Sequence, residues 1–296
     1  MPPIDSSCLR RAILATAVLA MTSILIPEQT RASVEQSQSP RVQVSQSVEP
    51  VVHEPGSSSP SAAAITLHVP VLVYHNVLPR DQWPAGTTDT QGGYITPERV
   101  YDQLKYLRDH GWRTVTARGV AQYAKRGERM HTKAFVISVD DGRRNAYRYL
   151  WPILRQLKFR ATFYVVGSRI GGEKFMSADQ LREMDAAGSE IANHTYEHLN
   201  LTGLTRAAVI EQVRMGSDAI VEAVGRRPIT LAYPGGRYNS AVMDAVLAEG
   251  STWMAFSVQY GCSESWSTRF HEERMIMRQV YTPANVLARI APYAAG

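Results

Sequence analysis

Cysteine is almost missing from this chain. Only Cys8 and Cys262 occur in 296 residues. A cut after the N-terminal segment leaves Cys262 as the one thiol, so an intrachain disulfide framework is excluded. Its surroundings, Tyr260-Gly261-Cys262-Ser263, give no support to a catalytic cysteine. Basic runs are missing too. Lys and Arg number 32 against 27 Asp and Glu, a net charge of +5. They never gather in a run of five, so nucleic-acid binding gains no support. The surplus suits an anionic or wall-associated setting. No internal repeat is visible, and no apolar stretch reaches the roughly 20 residues that a comfortable membrane span needs.

What the N-terminus does hold reads as a targeting segment. Arg10 and Arg11 precede the apolar run Ala12 to Ile26, and Thr30-Arg31-Ala32 supplies small residues before Ser33. A positive start, a short apolar run and small residues at the cut make a secretory signal over 1–32. An uncleaved membrane anchor is the other reading. Residues 33–64 are rich in Ser, Gln, Pro and Val. Such a segment buries too little apolar surface to offset chain entropy, so it is expected to be a disordered linker. The expected product is an exported monomer in the periplasm, the cell envelope or the medium, touching membrane only through an uncleaved N-terminus.

From Ile65 onward strand and helix signals alternate. Val71 to Tyr74 and Ala134 to Val139 are short, apolar and β-branched, as strands buried on both faces are. Thr96-Pro97-Glu98, Ser177 and Thr205 open amphipathic helices. Further strands are expected at 112–116, 161–166, 189–192, 229–233 and 253–258, with helices near 120–126, 146–157, 178–187 and 241–248. Alternation of this kind implies an α/β fold with a parallel sheet and right-handed crossovers. Seven or so units imply a closed or nearly closed barrel over 65–296. Barrel enzymes build their sites at the C-terminal ends of the strands, and His75, Asp140-Asp141, His194 and Arg237 fall at those ends.

Two adjacent carboxylates at a strand end repel each other unless a cation sits with them; Asp-Gly as a plain turn is the alternative. His194-Thr195-Tyr196-Glu197-His198 spaces two imidazoles by four residues, which on a helical turn would face one way. Two unrelated surface histidines are the alternative there. One Asp and two His leave positions open for water, as a hydrolytic metal site requires, with the second Asp free to act as base.

In order, Ser138-Val139-Asp140-Asp141-Gly142, His194-Thr195-Tyr196-Glu197-His198 and Tyr233-Pro234-Gly235-Gly236 resemble the first three motifs of the polysaccharide deacetylase (NodB-homology) family. The resemblance spans roughly residues 66–280. It implies a deformed (β/α) barrel of about seven parallel strands and a hydrolase that removes acetyl groups from N-acetylglucosamine-containing polysaccharide. It implies Asp140 as general base and Asp141, His194 and His198 as ligands of one divalent metal ion, with Zn²⁺ the default and Co²⁺, Ni²⁺ or Fe²⁺ alternatives. Pro70-Val71-Leu72-Val73-Tyr74-His75 resembles the segment opening the barrel in exported poly-N-acetylglucosamine deacetylases, which implies His75 as general acid; a packed, hydrogen-bonded histidine is the alternative. Gly235 is expected to offer an N–H to the oxyanion, with Tyr233 and Arg237 beside the substrate.

This chain also departs from the pattern. The third motif often carries an Arg two positions before its Pro; here that position is Ala232, and Arg237 is the nearby substitute. The late Leu-x-x-His motif is not evident. His271 lies in Arg269-Phe270-His271-Glu272-Glu273, which reads as charged surface, and Met275 or Met277 could line an acetyl-methyl pocket. Three other functions stay open: an O-acetyl xylan esterase of the same family, a decayed enzyme that only binds glycan, and a non-haem iron oxygenase, which would need a jelly-roll-like sheet.

Overall fold

The structure, a computed structural model, describes residues 69–90, 93–128, 130–258, 262–263, 269–270 and 272–294. The expected signal segment, the linker and His271 lie outside the described residues. Along the chain, β1 (Val69–Tyr74), β2 (Asn76–Val77) and β3 (Tyr94–Ile95) lead into helix α1 (Pro97–Asp109), then β4 (Arg113–Thr114) and α2 (Ala117–Arg126). After β5 (Ala134–Val139) a turn over Ala146–Leu150 runs into α3 (Trp151–Leu157), followed by β6 (Thr162–Val165), α4 (Ala178–Ala186), β7 (Glu190–Asn193) and α5 (Arg206–Val224). The chain ends with β8 (Thr230–Ala232), α6 (Ser240–Glu249), β9 (Met254–Phe256), β10 (Cys262–Ser263), β11 (Met275–Ile276) and α7 (Pro283–Ile290).

Local chemistry explains most of these boundaries. The side chains of Thr96, Thr116, Ser177, Thr205, Asn239 and Thr282 each accept an N–H at the start of a helix. That satisfies donors no intrahelical carbonyl can reach. The expected single helix over 146–157 begins instead as a π-turn, in which the Trp151 N–H reaches the carbonyl of Ala146. Pro152 has no N–H to keep the α register, so the hydrogen bonding shifts just before it.

Seven strands run parallel in the order β11, β1, β5, β6, β7, β8, β9. Short β4 adds to β5, and β10 lies antiparallel on β1. The far edge is drawn back toward the first by the segment 272–277. Glu272 bridges to Phe256 at the end of β9, and Met275 pairs with Leu72 of β1. This is the deformed (β/α) barrel expected from the alternation, and the parallel sheet excludes the jelly-roll alternative.

Strand alternation sorts the side chains into layers. Val71, Val136, Tyr164, Ala192, Ala232 and Phe256 fill the interior, and α2 closes its lower end through Ala117, Val120 and Ala121. At that end Thr162, Glu190 and Thr230, the first residues of β6, β7 and β8, form a buried polar group. Glu190 accepts from both hydroxyls and from the Arg118 N–H. The opposite residues of the strands, among them Leu72, Ile137, Phe163 and Ile191, pack under the helices. Met275 and Met277 belong to this outer layer, buried with Leu72 and Val286, so neither lines an acetyl pocket. Glu272 is buried as well. The charged stretch around it is the closing seam of the barrel and not surface.

Candidate functional site

Four strand ends meet at the upper rim. β1 delivers His75, β5 delivers Asp140 and Asp141, β7 delivers His194, and β8 ends in the turn that holds Gly235. Asp141 adopts φ +74°, in the left-handed region that Asp tolerates better than most residues. That turn separates two consecutive carboxylates. Asp140 stays buried at the barrel centre, while Asp141 looks out from the rim.

The segment from His194 to His198 is a loop, not the helical turn expected from its spacing. Thr195 and His198 both take positive φ, 63° and 64°. A β-branched residue rarely does so, and strain of this kind persists only where the surroundings impose it. Helix α5 imposes it here. Its Gln212 carbonyl accepts from the Tyr196 N–H, and the Gln212 side chain exchanges hydrogen bonds with Glu197. Asn193 donates to the Val213 carbonyl and to Ser217, and accepts from the Thr195 N–H. Gly216 makes the close approach possible: a Cβ there would stand 2.8 Å from the Thr195 carbonyl carbon.

The result brings three donors together. Nε2 of His194 is 3.8 Å and Nε2 of His198 is 3.6 Å from Oδ1 of Asp141. His194 Nδ1 donates to the Ala232 carbonyl at 2.8 Å, which leaves Nε2 unprotonated and aimed inward. Arg143 donates from Nε to the other oxygen of Asp141 at 3.1 Å, which turns Oδ1 toward the imidazoles. Donors about 2.1 Å from a tetrahedral centre stand about 3.4 Å apart, and these three ligand atoms lie within 4.8 Å of one another, so this set could hold a metal ion. Burial pushes the His194 imidazole down to about 4 and also lowers that of His198. Both are therefore neutral near pH 7, as metal ligation requires.

Asp140 sits beside this group. Arg274 grips both of its oxygens, Nη1 to Oδ1 at 2.8 Å and Nη2 to Oδ2 at 2.9 Å. The same guanidinium donates to Ser138 Oγ and to the Ser257 carbonyl, and it is fully buried. Burial alone would push the Asp140 carboxyl up. Arg274 first, then His194 and His75, outweigh that and hold it well below the usual carboxylate range. His75 Nε2 is 3.7 Å from Asp140 Oδ2, and its Nδ1 is buried without a hydrogen-bond partner.

His75, Asp140, Asp141, His194 and His198 are thus assembled at one place, with Gly235 exposed on the adjoining turn at φ +61°. The Tyr233 side chain is not part of that group. It points into the outer layer with Leu231 and Val242, and its hydroxyl donates to the Phe270 carbonyl. Arg237 is exposed, and the cation on Asp140 is Arg274 instead. Sequence reasoning missed Arg274, Arg143 and Gly216. The first lies 134 residues from its partner, so no local pattern marks it.

Comparison with known proteins falls on the same region. The family described as Polysaccharide deacetylase matches residues 127–252. YxkH of Bacillus subtilis, which carries a polysaccharide deacetylase name, is 25% identical over 183 residues, 62% of each chain. A poly-beta-1,6-N-acetyl-D-glucosamine N-deacetylase of Staphylococcus aureus is 24% identical over 170 residues, 53% of this chain and 58% of its own. The matches therefore span less than two thirds of these relatives. The solved structure of the Streptococcus pyogenes deacetylase PplD in complex with acetate superposes with a TM-score of 0.70 at 21% identity, over 76% of this chain and 98% of that one. That likeness speaks for the fold. The matched segment holds Asp140, Asp141, His194 and His198, whereas His75 and Arg274 come from outside it.

Proposed function

We propose that this chain, whose segment 127–252 matches the polysaccharide deacetylase family, hydrolyses the acetamide groups of N-acetylglucosamine-containing polysaccharide. The observation that carries the reading is the convergence of Asp141, His194 and His198 beside a second, ionised aspartate. Asp141, His194 and His198 would hold one divalent ion. A bound ion supplies Lewis acidity, lowering the pKa of water and polarising the acetyl carbonyl.

The protein's own groups do the rest. Asp140, fixed at both oxygens by Arg274, takes a proton as the water oxygen bonds to the carbonyl carbon. The Gly235 N–H, on the exposed turn after β8, is the donor assigned to the developing oxyanion. As the C–N bond breaks, His75 gives its proton to the departing nitrogen; a free amine and acetic acid leave, and the acid loses its proton to solvent as acetate. Asp140 then holds one proton more and His75 one fewer. Their 3.7 Å separation lets a small movement pass that proton back and reset the pair.

His75 favours an amide over an ester. An amine must be protonated to leave, whereas an alkoxide demands less of the acid. An exported location agrees with such a substrate, and no helix among the described residues is long and apolar enough to cross a membrane. The test is acetate release from a panel of acetylated glycans, glucosamine polymers and acetyl-xylan among them, with and without a chelator. Release from the glucosamine polymers that chelator abolishes and Zn²⁺ restores supports the reading. Release from acetyl-xylan alone, or release indifferent to chelator, overturns it.

A further inference from the structure

Beside the rim lies a cleft of about 410 Å³. It adjoins the site through two residues. Arg143, which orients Asp141, lines it, and so does Asn76, the neighbour of His75. Its other cations are Arg144, Arg148 and Lys174, and among the described residues no carboxylate lines it. Arg144 is engaged with the carbonyls of Gly172 and Phe175. Arg148 and Lys174 are exposed and make no ion pair among the described residues; Arg148 lies over the Tyr149 ring, 5.2 Å from its centroid.

Arg143 is paired with Asp141, which leaves Arg144, Arg148 and Lys174 without an ion pair among the described residues; together they give the cleft a positive potential. The remaining lining suits a sugar. Tyr94 and Tyr149 line the cleft, and both are aromatic. Asn145 donates to Asn76, while its own Oδ1 is buried with no partner. A neutral polymer would leave Arg148 and Lys174 without a partner.

We propose that this cleft is a subsite for a carboxylate carried on the sugar polymer, close to the residue that loses its acetyl group. The carboxylate lies against Arg148 and Lys174, and the sugar bearing it against Tyr94, Tyr149 and Asn145. The substrate is then an acidic acetylated glycan. This rests on the deacetylase reading given above and narrows it.

The test compares two acetylated glucosamine oligomers of equal length, one neutral and one with a lactyl ether carboxylate on alternate residues. The wild type has the higher kcat/KM on the carboxylated oligomer, and added salt erodes the preference. In Arg148→Gln/Lys174→Gln the ratio of the two kcat/KM values falls about tenfold, the scale of lost charge-assisted hydrogen bonds. Arg126→Gln/Arg214→Gln, which removes the same charge outside the cleft, leaves the ratio where it was. No wild-type preference, or an unmoved ratio in the cleft variant, overturns the proposal. If neither oligomer is deacetylated, the deacetylase reading has failed and binding decides the cleft. Calorimetry with the carboxylated oligomer then shows weaker binding to the cleft variant than to the wild type, or, with equal binding, refutes the subsite.

Discussion

Arg274 and Asp140 form a two-pronged ion pair at the barrel centre, with both partners buried and both N–O contacts under 3 Å. Arg274 arrives on the two-stranded seam that closes the barrel, between Glu272 on β9 and Met275 on β1. The element that completes the wall therefore also completes the site. A decayed glycan-binding module, which the missing arginine at Ala232 would have signalled, has no need of such a pair.

Removing the guanidinium leaves a buried carboxylate uncompensated, at a cost of about 3–5 kcal/mol. Arg274→Met is expected to lower the urea midpoint accordingly and to raise the pKa of Asp140. The acidic limb of the kcat profile then moves to higher pH. Arg274→Lys keeps the charge but not the fork, so it restores most of the stability and loses kcat more than KM. Unfolding curves and pH–rate profiles of the two variants check this; an unmoved acidic limb in Arg274→Met would show that Arg274 does not set Asp140.

His75→Ala is expected to cost about 10²- to 10⁴-fold in kcat on an acetamide, the range for general acid catalysis. The loss on an acetate ester of the same sugar is smaller, because the alcohol leaves more easily. Parallel assays on the two substrates measure it. Equal losses on both would remove His75 from the role of acid.

Gly216→Ala places a methyl against the backbone of the loop that carries His194 and His198. It is expected to destabilise the fold by about 1–3 kcal/mol, as overpacking does, and to weaken metal binding about 10- to 100-fold by displacing the histidines. Competition with a chromogenic chelator reads the affinity. Unchanged affinity would mean that the loop is held independently of α5.

The metal-free protein is expected to lose stability as pH falls from about 6.5 toward 4. The folded His194 imidazole is held near 4, below its ordinary 6.5. The unfolded chain therefore binds more protons in that window, and acid favours unfolding. Each such group contributes up to about 1.4 kcal/mol per pH unit, so His194 alone contributes about 3 kcal/mol, with His198 adding in the same direction. His194→Gln should flatten the dependence. Urea midpoints of the chelated protein at several pH values decide it, and a pH-independent midpoint between 4 and 7 would contradict the burial of a neutral imidazole.

Much of this was legible before any coordinates. The apolar strands, their helix caps and the acidic and imidazole residues at strand ends follow from local composition and period. The loop shape of His194 to His198 did not, because four-residue spacing cannot reveal positive φ at Thr195 and His198. Tyr233 was misplaced because alternation past the end of β8 turns it outward. Arg274 was invisible for a different reason. It stands just before the two-residue strand β11, inside a charged stretch, and its partner is set by barrel closure alone. The apolar Met275-Ile276-Met277 that follows was the one available sign that this stretch is buried.

Metal content by mass spectrometry tests the central claim most directly. After stripping and reloading with Zn²⁺, the wild type and Asp140→Asn should each retain about one equivalent, whereas His194→Ala/His198→Ala should retain none. Full occupancy in the double histidine variant, or none in the wild type, would contradict the account.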